Sequence, residues 1–112
     1  MDLQLKGKHA LITGGSIGIG KAVAIALADE GVSVAICARD EKRVTAVAAE
    51  IAVNSGAEVV GIAGDVTNQE DIDRIVKDTE KNLGGIDILI NNAGTGSEET
   101  IMDADDEKWQ YY

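Results

Sequence analysis

The sequence contains no proline and no phenylalanine. Without proline, no Pro-rich linker divides the chain. Without phenylalanine, the larger aromatics are only Trp109, Tyr111 and Tyr112, all near the C-terminal end. The core must therefore be aliphatic. There is one cysteine, Cys37, so no internal disulfide can form. It lies in an apolar run and reads as a small buried residue. A free thiol fits a reducing compartment, and a cytoplasmic location is the expectation. Basic residues are few: ten Lys and Arg stand against twenty Asp and Glu, a formal net charge of −10. Such a field disfavours nucleic acid and anionic membrane surfaces as partners. It leaves room for one local phosphate site, because backbone amides at a helix start need no net positive charge. No apolar run is long enough to span a bilayer. The start, Met1-Asp2-Leu3-Gln4-Leu5-Lys6, has no secretory apolar region.

What is present is alanine, valine, isoleucine and glycine in a regular alternation. Short β-branched runs alternate with longer amphipathic stretches. His9 to Thr13 reads as a first strand, followed by a glycine-rich turn from Gly14 to Gly20. A helix is predicted over Ile19 to Glu30, closed by Gly31. Val32 to Ala38 is the second strand, apolar enough to be covered on both faces. Asp40 stands where it would cap a second helix reaching about Asn54, with Val44, Val47, Ala48 and Ile51 on one side and Gly56 at its end. Ala57 to Ala63 is strand three. Thr67 or Asn68 caps the third helix, and Gly84-Gly85 ends it. Ile86 to Ile90 is strand four, Asn91 to Gly96 a turn-rich loop, and a further helix is predicted from Asp103 or Asp105.

This order predicts a single α/β domain over residues 1–112. Right-handed crossovers then predict a Rossmann-type, doubly wound parallel sheet of strand order 3-2-1-4. Ligands bind such sheets where the order reverses, between strands 1 and 4. The turn at that point is Thr13-Gly14-Gly15-Ser16-Ile17-Gly18-Ile19-Gly20. It follows a strand and opens a helix, the context in which a glycine-rich run binds phosphate. Gly14 permits the tight turn, Gly18 lets the backbone approach a pyrophosphate, and Gly20 lets the helix pack closely on the sheet. Gly14, Ser16, Ile17, Gly18, Ile19 and Gly20 are the phosphate-binding candidates, through exposed amides and the helix dipole. The lone histidine, His9, lies far from this turn in sequence and reads as structural. No His or Cys cluster has metal-ligand spacing, so no metal is expected. The acidic run Asp103-Ala104-Asp105-Asp106-Glu107 reads as a solvated helix start.

Three motifs in order carry a family resemblance. Thr13-Gly14-x-x-x-Gly18-x-Gly20 resembles the fingerprint of the short-chain dehydrogenase/reductases, loosely those of the 3-oxoacyl-carrier-protein-reductase type. Asp65, in Gly64-Asp65-Val66-Thr67, matches a second signature, and Asn91-Asn92-Ala93-Gly94 a third. The resemblance implies a nicotinamide dinucleotide as cofactor. Asp65 would accept from the adenine amino group and the Val66 amide would meet the ring. Asn91, Ala93 and Gly94 would line the ribose. At the end of strand two, Ala38 aligns with the acidic residue of NAD-type members, and Arg39 follows as in NADP-type members. A guanidinium fork matches a 2′-phosphate, so NADP is expected over NAD. Asp40 remains open between a helix cap and a contact to the ribose hydroxyls.

The family transfers hydride with a Ser and a Tyr-x-x-x-Lys pair, plus an Asn in the fourth helix. No Tyr-x-x-x-Lys occurs here, and Trp109 matches a family tryptophan just ahead of that Asn. No catalytic residue is therefore expected in this chain, which reads as the N-terminal part of a longer fold. A carbonyl or alcohol substrate belongs to the complete enzyme. The alternative is a non-catalytic nucleotide-binding or self-associating module. Strand four would then be an open edge, so a homo-oligomer is expected.

Overall fold

The computed structural model describes residues 5–14 and 18–92. Seven elements follow the predicted order: β1 (His9–Thr13), α1 (Gly18–Asp29), β2 (Ser33–Ala38), α2 (Glu41–Ser55), β3 (Val59–Ala63), α3 (Gln69–Leu83) and β4 (Ile88–Asn91). All strand pairs are parallel, in the order β3-β2-β1-β4. The fourth helix expected from Asp103 or Asp105 lies outside the described residues. Among the described residues, no helix is long and apolar enough to cross a membrane.

The period of two along each strand sorts the core into two layers. Ala10, Ile12, Val34 and Ile36 face one side of the sheet, where Ala24 and Ala28 of α1 and Val44, Ala48 and Ile51 of α2 cover them. Leu11, Ala35, Cys37 and Ile62 face the other side, against Ile75 and Leu83 of α3. The first two crossovers thus run over one face and the third returns over the other, which is what places β4 beside β1. Small residues on α1 allow close approach to the sheet.

Several boundaries differ from the sequence expectation, each for a local reason. Val32 is not in β2, because its N–H closes the end of α1 onto Leu27 O (3.1 Å), while the Gly31 N–H donates to Ala28 O (3.0 Å). These two bonds form a Schellman-type end. Ala57 precedes β3, because its N–H donates to Ser55 Oγ (3.1 Å). Of the two candidate caps of α3, Asn68 is the one used, its side chain accepting from Glu70 N and Asp71 N.

β4 begins at Ile88, later than expected, and runs through Asn91. The segment before it is tied by a reciprocal link to β1. Asp87 Oδ2 accepts from His9 N (2.9 Å) and lies 3.0 Å from His9 Nδ1, while Asp87 N donates to His9 O (2.8 Å). The bonds from His9 hold the Asp87 carboxyl below its ordinary range. This link sits at the N-terminal ends of the strands, opposite the candidate site, and gives His9 the structural role expected of it.

Candidate nucleotide site

The C-terminal ends of all four strands are drawn level by bonds that continue past the ladder. Gly14 N donates to Cys37 O (2.7 Å), joining the tips of β1 and β2. Gly64 N donates to Ala38 O (2.9 Å), joining β3 to β2. Thr13 stands opposite Asn91 in register. Its hydroxyl donates to Asn91 Oδ1 (2.9 Å) and accepts from Asn92 N (3.1 Å). The switch point between β1 and β4 is therefore closed by side chains as well as by backbone. Asn91, expected in a loop, is the last residue of β4. The bonds of Thr13 to Asn91 and Asn92 form only once the two strands are adjacent, so no local signal announces them.

The glycine turn leaves β1 through Gly14, with φ +71°, and enters α1 through Gly18, with φ +62°. Among the described residues, and apart from its chain neighbours and its own helix backbone, no atom lies within 4 Å of where a Gly18 Cβ would stand. Gly20 is the reverse case. A Cβ there would run into the Gly14 carbonyl oxygen, with the Gly14 carbon at 2.9 Å and Asn92 Nδ2 at 3.0 Å. Gly14 and Gly18 thus carry the left-handed turn, and Gly20 the close packing of α1 on the end of β1. Ile19 is 73% exposed at the same helix start, an apolar side chain left open beside the turn. Ser16 and Ile17 lie outside the described residues, as do Ala93 and Gly94.

Arg39 is exposed at the tip of β2, and among the described residues it makes no ion pair. Asp40 next to it caps α2, its Oδ1 accepting from Arg43 N (3.0 Å). The cap uses one of the two carboxylate oxygens of Asp40. Asp65 does not cap α3. Its Oδ1 accepts from Thr67 N (2.9 Å) and Thr67 Oγ1 (2.6 Å). Those bonds, with a smaller contribution from the Arg39 charge, hold its carboxyl below the ordinary value against a small opposing effect of desolvation. Asp65 therefore stays ionised, and acceptor-only, at neutral pH. Val66 is half-buried and packs against the core layer beneath α3.

Sequence reasoning missed two residues behind Asp65. Asp71 Oδ2 accepts from Asp65 N (2.9 Å), and Arg74 Nη2 donates to Ala63 O (2.7 Å). In the sequence they are two charges three apart on a helix, a pattern that reads as a solvated face.

Cys37 is buried as expected, with Sγ 3.9 Å from Gly64 O. Burial pushes its thiol up from 9.0 to about 11; Arg74 opposes the rise, and Asp71 and Asp65 add to it. A thiol kept protonated by folding stabilises the fold fully below its ordinary value. That contribution is lost as pH climbs from about 9 towards 11. Cys37 is expected to resist a disulfide reagent at pH 8 in the native chain and to react at once in denaturant. Fast labelling of the native chain would contradict this.

The short chain dehydrogenase family model matches residues 8–112. The chain belongs to that family. Among relatives of this family, an uncharacterized oxidoreductase of Staphylococcus saprophyticus is 40% identical over 108 residues, 96% of this chain and 46% of the relative. A 3-oxoacyl-[acyl-carrier-protein] reductase of Synechocystis is 38% identical over 107 residues, 95% of this chain and 43% of the relative. The crystal structure of L-sorbose reductase from Gluconobacter frateurii, complexed with NADPH and L-sorbose, superposes with a TM-score of 0.83 at 46% identity, covering 98% of this chain and 42% of that one. The chain thus spans less than half the length of the relatives it matches. Short-chain dehydrogenases are NAD(P)-binding oxidoreductases on a Rossmann-type sheet, and the 3-2-1-4 order here is that fold.

Proposed function

We propose that this chain is the NADP-binding domain of a short-chain dehydrogenase/reductase that interconverts a carbonyl and an alcohol in its complete form. The observation that carries the cofactor choice is Arg39, exposed at the tip of β2 with no acidic residue at Ala38. The NADPH complex of the L-sorbose reductase supports the same choice.

When bound, the nicotinamide cofactor supplies or accepts the hydride. The Gly14 amide is taken by Cys37 O, so Gly14 serves the turn, and the amides of Ser16 to Gly20 would hold the pyrophosphate, helped by the dipole of α1. The space left beside Gly18 among the described residues fits that role. Arg39 would fork onto the 2′-phosphate. The ionised Asp65 would accept from the adenine amino group, with the Val66 amide facing the ring. Asn91, Ala93 and Gly94 would line the ribose beside β4. Proton transfer to substrate would need a Ser and a Tyr-x-x-x-Lys, and these 112 residues contain no such Tyr and Lys pair. A cytoplasmic setting accords with the unpaired Cys37.

Calorimetric titration with NADP and with NAD tests the cofactor. NADP is expected to bind at least about tenfold more tightly, the worth of one charge-assisted contact. Tighter binding of NAD would overturn the assignment of Arg39.

Self-association belongs to the same proposal. Among the described residues β4 pairs with β1 alone, and Ile88, Leu89 and Ile90 are only half-buried. An open apolar edge favours pairing with a second copy. Light scattering of the 112-residue chain at micromolar concentration is expected to show a dimer or larger. A strictly monomeric mass would remove this part of the reading.

A further inference from the structure

Asp65 is useful to an adenine ring only if its carboxylate is held in one place. The loop that carries it joins β3 to α3 and is half-exposed. Two side chains from the first turns of α3 reach back to this loop and grip its main chain on either side of Gly64. Arg74 Nη2 donates to Ala63 O (2.7 Å) on the strand side. Asp71 Oδ2 accepts from Asp65 N (2.9 Å) on the helix side. The two gripping groups are themselves linked, with Arg74 Nη2 3.7 Å from Asp71 Oδ1. Arg74 Nη1 is held in turn by Asp78 Oδ2 at 3.6 Å, one turn further along α3. Gly64 makes room for the grip, since a Cβ there would stand 2.6 Å from Ile75 Cδ1 and 3.0 Å from Arg74 Nη2.

The carboxylate of Asp65 is then oriented by Thr67. Both Thr67 donors bond to Oδ1, and among the described residues no donor meets Oδ2. The exposed ion pairs contribute little by themselves. The two main-chain bonds matter more, because each has a charged partner and together they fix the residue on each side of the turn.

We infer that Arg74 and Asp71 are positioning residues for adenine recognition, clamping the β3–α3 loop so that Asp65 presents its free oxygen to the amino group of the base. This rests on the reading of Asp65 given above. Neither residue is expected to touch the nucleotide. Their effect is on which base is accepted, and only secondarily on how tightly any nucleotide binds.

The test compares binding of NADP with that of its hypoxanthine analogue, in which a carbonyl replaces the adenine amino group. Fluorescence or calorimetric titration of the 112-residue chain reads the ratio of the two affinities. The unmutated chain is expected to favour adenine by about tenfold. Asp65→Asn is the control for the underlying reading. Its side-chain oxygen stays with the Thr67 donors, so its NH2 group takes the outward position and the preference should vanish or invert. Arg74→Met and Asp71→Asn should each lower the adenine preference at least about threefold, and Arg74→Lys should restore part of it. Should Arg74→Met fail to fold, Asp71→Asn and Arg74→Lys carry the test. No preference in the unmutated chain, or an unchanged ratio in Asp65→Asn, would overturn the role of Asp65 itself. A collapsed ratio in Asp65→Asn with an unmoved ratio in Asp71→Asn and Arg74→Met would overturn the clamp alone. Equal weakening of both nucleotides in those variants would also overturn it, since that is the mark of a merely structural role.

Discussion

Replacing Gly20 by alanine will destabilise the fold by about 3 kcal/mol, at the upper end of what overpacking costs. The added methyl has nowhere to go: it meets the Gly14 carbonyl, which is main chain and cannot swing aside as a side chain would. Relief requires α1 to lift from the sheet, which uncovers Ala24 and Ala28 and displaces the turn. Gly18→Ala is the informative comparison. Among the described residues nothing stands near its methyl, so its cost is the left-handed φ of +62°, about 1 kcal/mol. Urea unfolding should thus rank Gly20→Ala well below Gly18→Ala. Nucleotide titration of the folded variants should show Gly18→Ala impaired more than its stability loss explains, because that side of the turn is where a phosphate would approach. Equal midpoints for the two variants would show that the close approach of α1 to β1 is not what Gly20 serves.

Arg39→Ala will weaken NADP binding roughly 10- to 150-fold, the range of a charge-assisted hydrogen bond to a phosphate. NAD, which lacks the 2′-phosphate, should bind almost as before. The side chain is exposed and makes no ion pair among the described residues, so its removal should leave the unfolding midpoint within the small range of ordinary surface substitutions. The loss should shrink at high salt, because an exposed charge pair is screened over about a Debye length. Parallel titrations at low and high ionic strength check both statements. A variant that loses NAD and NADP alike would show Arg39 acting on the loop and not on the phosphate.

Much of the candidate site was legible in the sequence because its parts are local. The glycine turn, the helix caps Asp40 and Asn68, and the closing glycines Gly56 and Gly84 each follow from a few neighbouring residues. What escaped reading joins residues far apart in the chain. The hydroxyl of Thr13 and the side chain of Asn91 are 78 positions apart, and only the return crossover makes them neighbours. His9 and Asp87 are equally distant, and their link is why β4 starts two residues later than its apolar run suggests. The bonds of Asp71 and Arg74 to the preceding loop have no signal in a helical period, which does not reveal that the loop folds back over this face.

By itself the sequence determined the order of elements, the parallel sheet and its 3-2-1-4 arrangement. Period-two and helical patterning are short-range properties, and crossover handedness leaves few ways to assemble them. It also determined that Gly14, Gly18 and Gly20 form one turn at a helix start. Only the tertiary structure decided what each position does there. Gly20 is obligatory because the Gly14 carbonyl stands where a side chain would begin. Asp65 is turned by Thr67 and held from behind by Asp71, because α3 returns across the sheet at that height. These contacts are set where a loop or turn meets the helix that follows it. Their distances depend on how layers pack, which local patterning leaves open until the chain is folded.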